Sequence, residues 1–420
     1  MWGRRSLSPA ATDLLVVLGC AWLVRAAVIA TWPASAHSDD LDSWIAVANA
    51  LRHGANPYVA TDIVKWPPFA IVVVWLIDHV ARGLGVSFFF VMRVTLIAAE
   101  SAIAIVLYLL LTRFAPARAV RRVLLVGISF NPIAILFVCQ HENIDVFVGL
   151  FVVLALWALV SYERTADAVP WLAGCLALGL GAFAKTIPLV LAPLLVSGFR
   201  AASKLGRTLG LALFLGPVGL GLSVVFVLAP HAVARNVLLY RSISGYFGVT
   251  GLLGIANHGN LSHAYGTFFL VVLVAVLALL VRAVWMQGLD ERRTVLLAGL
   301  VLAAVPALGP GYAPQYAYWF MPALIASYLL FDNGWRTILL WFYIVAAVDF
   351  VIEYALLRAL GRFLVGFFDS SGSLHRLSDR LSTPGAETEL RLPLFVAFLV
   401  LLVAGARRLR AAGGRPHTSS

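Results

Sequence analysis

Charge is what this chain has least of. Only 12% of its 420 residues are charged and 20 are acidic, whereas 61% are hydrophobic. That is too little polar surface to cover a soluble globule of this size. Cysteine is nearly absent: Cys20, Cys139 and Cys175 lie in or beside apolar runs without metal-ligand spacing, so no disulfide framework follows. Strand alternation is missing, and an open sheet in lipid would leave backbone groups unsatisfied. No internal repeat stands out, which disfavours the alternative of a polytopic transporter or lipid flippase built from repeats. The net charge of +11 does not call for nucleic acid, because the basic residues sit in short clusters between apolar runs.

What is present is a succession of segments near or above the ~18 apolar residues that span a bilayer. The fold class expected is an all-α polytopic membrane protein with roughly eleven to thirteen transmembrane helices, lodged in the cell membrane. Residues 1–408 form one transmembrane domain and residues 409–420 a disordered cytoplasmic tail. Arg4, Arg5, an apolar run and Ala34-Ser35-Ala36 imitate a signal peptide. The run 14–32 is longer than the usual ~7–15 residues and contains Arg25, so it reads as an uncleaved first helix.

Basic clusters set the orientation: Arg113 to Arg122, Arg200 to Arg207, Arg282 to Arg293 and Arg407 to Arg415 belong inside. Residues 34–85 then form the first outer loop. Two helical runs, 66–82 and 86–111, lie between that loop and Arg113, and two crossings would put the arginines outside. The first run is short and carries Asp78, His79 and Arg82, so it reads as a juxtamembrane helix begun by Trp66-Pro67-Pro68. Residues 42–53 form an earlier outer helix, ended by Gly54 and Asn56-Pro57. The short pair 169–184 and 188–199 is interrupted by glycine and proline. A long outer segment covers 230–266. The polar constellations all fall outside, although only Lys and Arg were used to orient the chain.

Asp39, Asp40 and Asp42 come first among these. Crowded carboxylates raise one another's pKa, which suits a general base. Asp40 and Asp42 can instead hold a divalent cation, or the three simply favour a helix N-terminus. The turn Gln140-His141-Glu142-Asn143-Ile144-Asp145 is densely polar between apolar helices and suits sugar hydroxyls. Lys185, inside an apolar stretch, needs an anion such as a phosphate, or snorkels to the interface. Arg241 and His258, on an outer segment where basic residues are unexpected, are further candidates for an anionic headgroup. Tyr312, Gln315 and Tyr316, in a Gly/Pro-rich turn, line a substrate path. Arg93 and Glu100 share a helix face and call for partners on other helices, and Arg25 needs an unidentified anion.

Together these motifs resemble the GT-C class of polyprenol-phosphate-sugar-dependent glycosyltransferases, and within it the mannosyltransferases and the bacterial family 87-type α-mannosyltransferases. Asp40 with Trp44, then Gly54-Ala55-Asn56-Pro57-Tyr58 and Trp66-Pro67-Pro68, is similar to the first-loop pattern of an acid, G-x-x-P-Y and Y-P-P, with Trp66 in place of the tyrosine. The stretch from Met92 to Ala98 is similar to the helix that follows. Asn131-Pro132 with the Gln140 to Asp145 turn, Lys185 with Pro188, and Pro314-Gln315-Tyr316 with Trp319 and Pro322 continue the likeness as far as Pro322. The resemblance implies a GT-C-like bundle with juxtamembrane helices in the first outer loop. It also implies an acid of that loop as base, Asp40 before Asp39. The expected reaction is inverting transfer of a hexose, mannose first, from a polyprenyl-phosphate donor to a lipid-linked or glycan acceptor. No cofactor is expected beyond the divalent cation that Asp40 and Asp42 could hold.

Overall fold

The computed structural model describes residues 8–31, 39–61, 63–238, 244–255, 259–352 and 388–413. Every regular element among them is helical, and the chain is a polytopic membrane protein. Seven described helices are long and apolar enough to cross a bilayer, eight if the bent pair Ala117–Ser129 and Pro132–His141 makes one span. Three further apolar helices, Ala168–Ala184, Ile187–Ala201 and Ala317–Leu330, are shorter, and the expected eleven is reached only when they are counted too. The interrupted pair is as expected: beyond Ala184 the chain runs as a 3₁₀ helix, Ile187–Leu195, containing Pro188 and Pro193. Asn260–Gln287 is helical from its polar first turn, so this helix begins within the segment expected to lie outside. The last helix, Leu392–Gly413, runs five residues into the segment assigned to the tail.

At the centre lies Asp145–Thr165, packed on Phe88–Leu111, Ala168–Ala184 and Ala317–Leu330. Its spanning window is 61% buried, against 6% for the peripheral Asn260–Gln287. Lipid tails are as apolar as leucine, so close packing rather than water exclusion joins such helices. Gly149 permits it: a Cβ there would stand 2.8 Å from the carbonyl oxygen of Tyr318.

The bent pair breaks where Pro132 offers no N–H to the carbonyl of Ile128. Its backbone is repaired by side chains. Asn131 Nδ2 donates to Gly127 O at 2.9 Å, and Asn131 Oδ1 takes the N–H of Ile133. Arg25, fully buried in the first helix, donates to Ile128 O at 3.0 Å and Ser129 O at 3.1 Å. Its charge is met by Glu100 at 2.5 Å, and Tyr318 Oη donates to the same carboxylate. The anion missing for Arg25 and the partner missing for Glu100 are therefore one another.

The segment expected to form the first outer loop holds the two expected helices, Asp39–Arg52 and Pro68–Leu84. Gly54 takes the positive φ of +67° just after the first. Asn56 then caps the turn at Pro57, and Tyr58 Oη donates to Trp66 O at 2.8 Å. Arg52 and Arg82 both bind the buried carboxylate of Asp78, the latter at 3.0 Å, tying the two helices together. The hydrogen bond from Arg52 holds this carboxyl below its usual value, although burial pushes it up. Because the folded value is depressed, the clamp contributes fully above the unfolded carboxylate's pKa and is lost as pH falls through the folded one. Limited proteolysis of 39–84 should therefore accelerate only below about pH 4 in the wild type, and already at neutral pH in Asp78→Asn. Equal cleavage of the two proteins at neutral pH would contradict the clamp.

Candidate functional site

The Asp39–Arg52 helix presents Asp40 to a turn a hundred residues away in the chain. His141 Nε2 lies 3.0 Å from Asp40 Oδ2, and Asn143 Nδ2 donates to the same oxygen at 2.5 Å. Between them Glu142 has a φ of +54°, a conformation that costs a non-glycine residue on the order of 1–3 kcal/mol. Its surroundings hold it there. The buried Glu142 carboxylate pairs with Arg93, and its carbonyl accepts from Trp44 Nε1 at 3.1 Å. The left-handed residue closes the π-helical turn Phe137–His141 and lets the side chains on either side of it meet one carboxylate.

Asn143 also reaches the other way. Its Oδ1 accepts the backbone N–H of Asp145 at 2.8 Å, at the start of the central helix. The buried Asp145 carboxylate receives Lys185 Nζ at 2.8 and 3.0 Å and Trp319 Nε1 at 3.0 Å. Lys185 caps the end of Ala168–Ala184, and its ammonium stands 5.0 Å from the Tyr316 ring and 4.8 Å from that of Trp319. Those rings stack at 3.9 Å. A continuous polar path thus joins Asp40 to the Pro314–Tyr316 turn through segments from four distant parts of the chain.

Asp40 stays partly exposed. Burial raises its pKa, but the larger combined pull of His141, the Asn143 hydrogen bond and the more distant Lys185 leaves it below the usual carboxylate value. The upward shift expected from crowded acids is not found at Asp40, where His141, Asn143 and Lys185 pull the value down. Such a carboxylate stays ionised in neutral water and can accept a proton from a hydroxyl placed against it.

Of the other predicted residues, Asp42 lies in the same helix two positions on and is exposed. Positions i and i+2 of a helix do not share a face, so Asp40 and Asp42 do not fit one divalent cation. Among the described residues no cluster of three His, Cys, Asp or Glu is placed to hold a metal. Asp39 opens the helix. Gln140 is buried inside the π-helical turn and Gln315 half-buried beside Tyr316. Tyr312 lies tilted against Phe247 at 4.1 Å and meets the edge of Tyr316 at 6.3 Å, with Arg391 over its ring. Arg391 lies 3.7 Å from Asp349. Arg241 and His258 lie outside the described residues. Two residues that bond to this cluster, Trp44 and Trp319, were marked in the sequence only as part of the family resemblance and not as site residues. The three-residue step from Tyr316 to Trp319, which puts both rings on one helix face, was the available signal for the second.

Among solved structures, that of ArnT from Cupriavidus metallidurans bound to undecaprenyl phosphate has a similar fold. The TM-score is 0.51 at 15% sequence identity, over 96% of this chain and 79% of that one. At that identity the likeness is one of fold. No protein-family profile and no curated protein matches the chain.

Proposed function

We propose that this chain is an integral membrane glycosyltransferase that moves a hexose, mannose first, from a polyprenyl-phosphate donor to a lipid-linked or glycan acceptor at the outer membrane face. The observation that carries the reading is the setting of Asp40: an ionised, partly exposed carboxylate, oriented by His141 and Asn143 and connected to Lys185. A fold similar to that of a protein bound to undecaprenyl phosphate supports the donor class. The sequence motifs support the GT-C assignment.

In this mechanism the acceptor oxygen attacks the anomeric carbon from the face opposite the donor phosphate. The bond from that carbon to the phosphate oxygen breaks, the acceptor proton passes to Asp40, and polyprenyl phosphate leaves with the bonding pair. One displacement inverts the anomeric configuration. Lys185, whose ammonium in this structure is met by Asp145, would turn part of its charge to the phosphate as the bond breaks, together with Arg241 and His258. The flat stacked faces of Tyr316 and Trp319 would border the sugar. Gln140, Glu142, Gln315 and Tyr312 would line the substrate path.

The test incubates membranes carrying the full chain with radiolabelled polyprenyl-phosphate mannose and a lipid-linked glycan acceptor. Label should appear in product. Movement of labelled lipid across the bilayer without a new glycosidic bond would mean a transporter instead. Because the pKa of Asp40 is lowered, its base form is essentially complete above about pH 5 and declines only as pH falls through that lowered value. The transfer rate should therefore show no acid limb between about pH 5 and 7, and a limb centred near pH 6 would remove Asp40 from the role.

A further inference from the structure

A lateral groove of about 400 Å³ opens between the Ala117–Ser129 part of the broken span and the helices Ala317–Leu330 and Asn333–Val351. Its volume is that of a small-molecule site. Val123, Val126, Leu324 and Leu340 make its walls apolar. Gly127 sets its floor, where a Cβ would press on Ile325 at 3.1 Å. One end is different in kind. Arg122 lines it and is exposed, while the preceding Arg121 spends its charge on Asp13 at 2.7 Å. Arg336 lies over the ring of Tyr328, another lining residue, at 5.9 Å. Its guanidinium donates to Tyr328 O and Asn333 Oδ1, both uncharged acceptors. An apolar furrow between spans therefore ends at two cations.

We propose that this groove is a binding site for an anionic glycerophospholipid of the surrounding bilayer, with an acyl chain in the furrow and the phosphodiester between Arg122 and Arg336. Charge and place select this occupant over the polyprenyl donor. Arg122 and His141 lie towards opposite ends of the bent pair, nineteen residues or ~28 Å apart along a helix at about 1.5 Å per residue, so a phosphate held at Arg122 is far from Asp40. The arginine-rich end is the one that faces the cytoplasm by positive-inside reasoning, and that leaflet carries the anionic lipid. Basic pockets between transmembrane helices on that side recognise anionic head groups. The site is independent of the transferase reading, since it would hold lipid whether or not the chain transfers sugar.

Native mass spectrometry of the full chain in mild detergent, incubated with phosphatidylglycerol or phosphatidylcholine, tests it. The wild type should retain phosphatidylglycerol in preference. The Arg122→Gln/Arg336→Gln pair should lose on the order of tenfold in that retention, with thermal stability in phosphatidylcholine unchanged. Leu340→Trp, which fills the furrow, should lose retention as well. Equal retention of the two lipids by the wild type would overturn the proposal, as would retention unchanged by the variants, or displacement of phosphatidylglycerol by undecaprenyl phosphate. If a variant does not fold, the wild type decides alone. Phosphatidylglycerol with a photoreactive acyl chain should label peptides containing Val126 or Leu340, and labelling confined to other peptides would overturn the site.

Discussion

Asp40→Asn should abolish sugar transfer, with kcat reduced on the order of 10²–10⁴-fold and the protein still folded. Asparagine keeps the size of the side chain and an oxygen to accept from Asn143 Nδ2, so the contacts that position the residue survive. What it removes is the ability to hold the proton released by the acceptor hydroxyl. Asp42→Asn, at an exposed position on a different face of the same helix, should leave transfer within a few-fold of wild type. Radiolabel transfer in membranes, with folded protein quantified by size-exclusion chromatography, separates the two variants. An active Asp40→Ala enzyme would sink the assignment.

Arg25→Met should cost the most stability of any single change in the bundle, about 3–5 kcal/mol. The methionine fills much of the space but strands the Glu100 charge in the interior and withdraws the donors on Ile128 O and Ser129 O at the helix break. In lipid no water replaces them. The double variant Arg25→Met/Glu100→Leu removes the stranded charge and should recover part of the loss, but not the part owed to the two carbonyls. Thermal denaturation in detergent measures the set. Full recovery by the double variant would show that Arg25 serves only as a counter-ion, and no loss in the single variant would refute the pair altogether.

Much of this was legible in the residues. Long apolar runs and sparse charge require a helical membrane protein, because lipid satisfies no backbone group outside a helix or closed barrel. The amphipathic Pro68–Leu84 helix and the glycine/proline-interrupted segment after Ala184 follow from composition and helix chemistry over short stretches. The polar turn at 140–145, Asp40, Lys185 and the Pro314–Tyr316 turn could each be marked as unusual, since a polar residue in an apolar setting stands out on its own.

Partnership was not legible. Nothing in the sequence pairs Arg25 with Glu100, Arg93 with Glu142, or Lys185 with Asp145, because a charge deep among helices states only that some counter-charge is near. The direction of the Asp40 shift came out opposite to expectation for the same reason: its sign depends on which groups stand within a few ångströms. Those groups, His141 and Asn143, arrive from the far end of another span. The residues alone determined that this protein crosses the membrane as helices and which side chains do not belong to its apolar background. Only the packing decided which of them meet, since electrostatic and hydrogen-bond energies fall off over distances far shorter than the sequence separations they bridge.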